Sequence, residues 1–424
     1  MKRQIKRFAL SLTLSLFMAP LYAANSPSTT ANDDSCDISV MPAATLLLPY
    51  FEVDFRSQTG ENTILSITNV TNTAQIARVT LWTDRSYPVI NFNVYLTGYD
   101  TQRLSLFDLI ARGIIAPPFG TGVDLSPQGA FSDPNPSLNL TNCQDLAGFI
   151  PAVYVRRMQS AFTTGTIPAF GSTPACPTAG GAHTNAVGYA TIDVVKNCGF
   201  QWAIDPTYYS QELAFDNVLM GDYEQTNLGT GTSSANPMVH LKAIRKASNH
   251  KTEFDRTFYS RYQNGDTKDA RQPLPSTFAA RWIDTPQQQT SYKIWREGVT
   301  GANATCNDYL NNANLPISEI VVFDEEENVE GATTTATLPE TSLTSIADPT
   351  HFPRTGGAVA GWTYLNLDNA APDGIATQNW VVISNRGSNR ANDFDALHLG
   401  NGCTPETPSS EVSGGGVVIG PAGN

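Results

Sequence analysis

Residues 62–69, Asn-Thr-Ile-Leu-Ser-Ile-Thr-Asn, and 76–83, Ile-Ala-Arg-Val-Thr-Leu-Trp-Thr, joined by an Asn/Thr-rich turn, are the stretch whose reading decides the fold. Leu65 and Ile67 alternate with Ser66 and Thr68, and Val79 and Leu81 alternate with Arg78 and Thr80. Further on, Phe92, Val94 and Leu96 repeat the spacing. Successive side chains of a strand point to opposite faces, so a period of two in β-branched and aromatic residues describes half-buried antiparallel strands. The pattern predicts a fold type and carries no chemistry of its own.

Working outward, strands are expected at 44–51, 63–68, 76–83 and 90–96, and again at 188–195 and 238–244. The second half adds short β-rich runs at 278–282, 291–295, 319–323, 362–367, 379–384 and 394–398. Helical spacing is confined to short stretches. Residues 104–112 end at Gly113, a glycine stop signal, and 150–163 place Val155, Met158 and Phe162 on one face behind Pro151. Residues 211–220 read as a short helix or turn. Many short strands with few helices predict an all-β chain of antiparallel, immunoglobulin-like sandwiches with long loops.

The block 65–82, strand, Asn/Thr turn and return strand, resembles the first hairpin of bacterial immunoglobulin-like domains. That resemblance covers a short N-terminal stretch and implies a fold without an activity. The stretches 295–297 (Trp-Arg-Glu) and 393–403 are similar to segments of uncharacterised exported bacterial proteins, and they bring no function with them.

The N-terminus predicts export. Lys2, Arg3, Lys6 and Arg7 precede an apolar run at 8–18, then Pro20 and a small-residue cleavage site at Ala23 or Ala24. That is the layout of a secretory signal peptide over 1–23, with an apolar core too short to span a bilayer. Export to the cell surface or medium, or to a periplasm, follows as the expectation. No later stretch has the apolar length of a membrane helix. Without its leader the chain keeps 22 Lys and Arg against 39 Asp and Glu, a net charge of −17. Such a surface repels phosphate backbones and anionic lipid, so nucleic acid is not an expected partner.

Beyond the leader, 24–37 reads as a flexible lead-in, 38–112 as the first part of a sandwich and 113–186 as a loop-rich region with a short helix. Residues 187–403 read as a second sandwich or the completion of the first, and 404–424 as a disordered tail. Within these, 116–142 is a Pro/Gly/Ser/Asn-rich surface loop and the Thr-rich 333–344 reads as a linker.

All six cysteines, Cys36, Cys143, Cys176, Cys198, Cys306 and Cys403, follow the leader. An even count in an exported chain favours structural disulfides, with Cys143–Cys198 and Cys306–Cys403 the reasonable pairings. No C-x-x-C occurs, which removes support for thiol redox or zinc-knuckle chemistry.

Catalytic signals are sparse. There is no G-x-S-x-G elbow, and the five histidines (His183, His240, His250, His351, His398) lack zinc-ligand spacing. Asp193, Asp222 and Glu297 fall in or beside strands, where a glycosidase-like carboxylate pair would project, but acidic residues are abundant enough to produce such candidates by chance. Calcium is the one cation the oxygen-rich turns suggest: Asp324, Glu325 and Glu326 cluster behind the apolar run 320–322, without EF-hand spacing. The simpler reading is a charged turn that keeps a strand end soluble. Trp202 with Tyr208 and Tyr209, in a turn-rich stretch around Pro206, would form a glycan-stacking surface if exposed, and core packing if not.

The reading that results is an exported, non-enzymatic surface or matrix protein that binds extracellular proteins or glycans or joins an extracellular assembly. Its rival is a secreted hydrolase acting on polysaccharide or peptide.

Overall fold

The fold is seen in a computed structural model that describes residues 38–115, 150–171, 174–199, 201–244, 256–368, 377–388 and 390–399. These all belong to one unit, Thr29–Glu406. The expected leader, lead-in, the whole 116–142 loop and the C-terminal tail lie outside the described residues, as do Cys36, Cys143 and Cys403.

Twenty strands lie among the described residues. The first nine are β1 (Thr45–Val53), β2 (Glu61–Asn69), β3 (Gln75–Thr83), β4 (Pro88–Leu96), β5 (Thr101–Ser105), β6 (Ala186–Val195), β7 (Leu219–Asn227), β8 (Thr232–Pro237) and β9 (Val239–Leu241). They form two antiparallel sheets, β4-β3-β6-β1-β9 and β5-β2-β7-β8. Leu65 and Ile67 of β2, Leu104 of β5 and Tyr223 of β7 meet Leu46, Leu48, Val79, Phe92 and Ile192 of the larger sheet in one apolar core. The period-two block that opens the chain therefore supplies both walls of a sandwich.

The remaining strands are β10 (Thr277–Thr285), β11 (Gln288–Arg296), β12 (Leu315–Pro316), β13 (Glu319–Asp324), β14 (Val329–Thr333), β15 (Thr337–Leu338), β16 (Thr341–Ser345), β17 (Ala360–Asn366), β18 (Asn379–Gly387), β19 (Arg390–Asp395) and β20 (Leu397–His398). Nine of them build a sheet with the path β14-β13-β17-β10-β11-β18-β19, to which β16 and β20 add at β11 and β10, and β12 pairs with β15. The chain is thus mostly β with antiparallel sheets, as the patterning predicts. The Thr-rich segment expected as a linker is instead strand: it contributes β15 and β16, and Thr341 is buried. Threonine is β-branched and suits a pleated, half-buried surface, which outweighs its turn character here.

The half-buried expectation holds for β2, whose residues alternate strictly, and fails for β3 and β6, which are buried on both faces. The outer face of the five-stranded sheet is covered by the second half of the chain. Trp82 stacks on Tyr189 at 5.7 Å and on Tyr262 at 6.0 Å, and Tyr189 meets Trp295 edge-on. The polar residues of that face survive burial by pairing. Arg78 bonds to Glu212 and to Asn93 at 2.9 Å. Asp193 accepts the hydroxyls of Thr45, Tyr208 and Tyr259, and Arg271 donates to the carbonyls of Ala44, Ala214 and Asp269 and to Thr45. A buried charge left unpaired costs several kcal/mol, so these partners are a condition of the architecture.

Helices are short. Where 104–112 predicted one helix, β5 runs to Ser105 and a single π turn (Asp108–Arg112) closes on Gly113, whose φ of 72° makes the left-handed stop. Helix α1 (Ala152–Thr164) follows the expected 150–163, with Val155, Met158 and Phe162 buried and Gly165 ending it at φ 66°.

Candidate functional site

A cavity of about 310 Å³ opens where α1, the start of β4 and the 3₁₀ helix Cys306–Ala313 converge. Each wall follows from local sequence. The β3–β4 turn puts Ser86 at φ 62°, and from it Tyr87, Pro88, Val89 and Ile90 enter the cavity wall. On α1 the apolar stripe holds the helix down on the core, and Tyr154, Arg157 and Met158 along its edge face the cavity. Thr305 and Asp308 close a capping box on the 3₁₀ helix, fixing the direction of a segment that presents Tyr309. Trp202 and Ile204 complete the floor, and the exposed Pro174 and Ala175 lie at the rim.

Two of these walls are tied together covalently. Cys176 and Cys306 form a disulfide with Cα atoms 5.4 Å apart, and the Thr178 hydroxyl donates to the Cys306 carbonyl at 2.6 Å. The bond contradicts the expected Cys306–Cys403 pairing. Sequence spacing carries no information on which loops meet, and here the loop after α1 comes back against the 3₁₀ helix. Cys198 is also disulfide-bonded.

The electrostatics are simple. Arg157 is the one charged residue of the lining, anchored through a 2.9 Å bond to the Pro168 carbonyl, with its guanidinium over the Phe170 ring. Burial pushes the Tyr87 phenol up, with Arg157 pulling weakly the other way, and burial likewise pushes up the phenol of Tyr309. Both stay neutral at physiological pH. The two rings meet edge to face at 5.1 Å. Among the described residues the lining holds no carboxylate, histidine, lysine or aliphatic hydroxyl, and its cysteines are bonded to each other. It can enclose an apolar group and offer a cation to an acid; it has no nucleophile–base pair.

Of the sequence-selected residues, Trp202 reaches this cavity, half-buried. Tyr208 and Tyr209 do not. Both are buried, the Tyr208 hydroxyl bonded to Asp193 at 2.9 Å and that of Tyr209 to the Ala203 carbonyl, so neither ring is a stacking surface for a sugar. They pack edge to face with each other, and Tyr209 against Tyr259, while the Tyr208 hydroxyl serves the polar outer face of β6 at Asp193. Asp324, Glu325 and Glu326 form an exposed turn in which Asp324 accepts backbone N–H groups from Glu326 and Asn328 and the Asn328 amide. These bonds hold its carboxyl below the usual range, the Asn328 amide foremost. Among the described residues no group of three or more His, Cys, Asp or Glu is placed to hold a metal.

The carboxylates considered for hydrolysis are scattered: Asp193 and Glu297 are buried in separate polar contacts and Asp222 is exposed on β7. His183 pairs with Asp84 at 3.0 Å and His351 with Asp348 at 2.8 Å; His240 accepts the Gly221 N–H, and burial lowers its pKa. His250 lies outside the described residues. Sequence reasoning missed Arg157, Tyr87, Tyr154 and Tyr309, which are separated by up to hundreds of residues and share no motif. The helical edge that carries Tyr154 and Arg157 beside the Met158 stripe was the one available signal.

Compared with known proteins, the chain matches no family model, no curated protein and no solved structure.

Proposed function

We propose that this chain is an exported, non-enzymatic binding protein whose aromatic cavity takes an apolar group bearing a carboxylate, presented by an extracellular protein. The observation that carries the reading is the lining itself: among the described residues, aromatic and aliphatic walls, one half-buried guanidinium, and no acid–base pair. Pockets of this type bind through apolar burial, with a few polar groups fixing orientation. Arg157 supplies that fixing group, since a planar fork of donors matches a carboxylate. A glycan suits the lining less well, because its many hydroxyls need partners and the walls offer few. The leader at 1–23 supports export, and the acidic surface gives an anionic partner little long-range attraction, so affinity has to come from the cavity.

The test titrates the mature protein with anilinonaphthalene sulfonate, an aromatic anion, and then displaces it with peptides ending in an aromatic residue with a free carboxylate. Saturable binding is expected, weakened about 5-fold in Arg157→Gln, the size of one modest charge contact. A neutral aromatic probe should lose affinity in Trp202→Ala but not in Arg157→Gln. Equal binding by wild type and both variants, or selective capture of glycans on an array, would overturn the reading.

A further inference from the structure

Lys293 is a fully buried amine that the cavity does not use. It sits on β11, opposite Val382 of β18, which in turn lies opposite Asp395 of β19. Asp393, two residues earlier on β19 and on the same face, pairs with Ser384. Reaching across β18, the Lys293 ammonium touches Asp393 Oδ2, and both side chains have zero exposure. The four-stranded sheet roofs the pair: Ser234 of β8 donates to the same Oδ2 at 2.8 Å, and the Tyr223 ring lies 5.6 Å from Nζ.

As an ion pair this contact is poorly completed. An ammonium carries three N–H donors, and Asp393 Oδ2 is the single acceptor it reaches among the described residues. Asp393 Oδ1 is buried with no hydrogen-bond partner. Two donors and one acceptor are therefore left unpaired in a sealed site, an arrangement that costs several kcal/mol if it stays ionic. Those unmatched atoms, two hydrogens on nitrogen and one carboxylate oxygen, are the atoms that leave as water when an amine condenses with an acid.

We propose that Lys293 and Asp393 join through an amide between Nζ and Cγ, an internal cross-link that ties β11 to β19 across the intervening β18. The chemistry balances without a co-reactant. The ammonium passes one proton to the carboxylate, and the amine lone pair attacks Cγ. A C–N bond forms, the Cγ–Oδ1 bond breaks, and Oδ1 departs as water with the transferred proton and one more from Nζ. Oδ2 becomes the amide oxygen and keeps the Ser234 hydroxyl as its donor. Burial lowers the Lys293 pKa, with Asp393 opposing, which favours the neutral amine the attack requires. Two reactants held in contact by packed strands behave as if at very high concentration. Residues 100 apart would then be covalently closed.

The experiment is mass spectrometry of the mature, reduced full-length protein. A mass about 18 Da below that of its sequence, one water, is expected. Trypsin should then give residues 282–296, uncut at Lys293, joined to the fragment that begins at Ala391. In Lys293→Met and Asp393→Ala the deficit and the joined fragment should both vanish. Complete cleavage at Lys293 with a free Ala391 fragment in the wild type overturns the proposal, as does a deficit traced to any other fragment. Because the wild-type map decides alone, the result stands even if neither variant folds.

Discussion

Replacing Cys176 and Cys306 with alanine tests how the cavity is held. The two residues are 130 apart in sequence, and closing a loop of that length removes chain entropy from the unfolded state worth about 5 kcal/mol at 25 °C in the loop-entropy treatment. That value is an upper bound, because denatured chains are more compact than random coils and have less entropy to lose. The folded side loses little area: Cys176 belongs to a small cluster with Ala161, Ile167 and Ala179. A loss of about 2–5 kcal/mol is therefore expected, most of it entropic. The loss should also reach the binding reading, because Cys306 begins the helix that presents Tyr309 and Cys176 stands beside the rim. Urea unfolding followed by tryptophan fluorescence, with wild type and the double alanine variant under one buffer, measures the first quantity, and probe titration the second. A stability change under about 1 kcal/mol with unchanged probe affinity would refute the reasoning, since it would mean that neither the unfolded chain nor the wall depends on the bridge.

Two further perturbations probe the polar interior. Arg271→Met removes four buried hydrogen bonds and leaves the carbonyls of Ala44, Ala214 and Asp269 and the Thr45 hydroxyl without their charged donor; a loss of about 3–5 kcal/mol in urea is expected, and a loss below about 1 kcal/mol would show that water or repacking replaces it. Asp395 sits beside the Trp380 N–H and the Asn236 amide, and burial pushes its carboxyl up from 3.8 to about 6. The folded protein then holds a proton that the unfolded chain has released, so its contribution is complete below the usual carboxyl pKa and is lost as pH rises through about 6. Asp395→Asn should flatten the stability profile between about pH 4 and 6; an unchanged slope there counts against the shift.

Much of the architecture was legible in the chain. Alternation at 65–68, 79–82 and 92–96 marks strands because a pleated backbone shows its two faces on alternate residues, whatever the rest of the protein does. The spacing of Val155, Met158 and Phe162 marks α1 for the same local reason, and the β-branched runs expected at 278–282, 291–295, 319–323, 362–367 and 379–384 fall on β10, β11, β13, β17 and β18 with ends up to three residues off, while 394–398 straddles β19 and β20. The Thr-rich 333–344, expected as a linker, holds β15 and most of β16 because threonine serves turns and strands alike, and only the partners available in the fold choose between them.

What sequence by itself determined is thus the local backbone, the export signal pattern and the sign of the surface charge, all set by neighbours along the chain. Which side of a strand meets water was left to the tertiary structure. Arg78, Thr80 and Asp193 look like solvent-facing residues by period, yet they are buried because later parts of the chain pack over that face; Asn93 on the neighbouring β4, Glu212 and Tyr208 before β7 and Tyr259 before β10 serve as partners of Arg78 and Asp193. The cavity arises in the same way. Tyr87, Arg157, Trp202 and Tyr309 come from four separate segments, brought together by long-range packing and one disulfide, and nothing in their own neighbourhoods announces the meeting. Local patterning encodes direction and propensity; a site needs distance between remote atoms, and that quantity exists only once the chain has closed on itself.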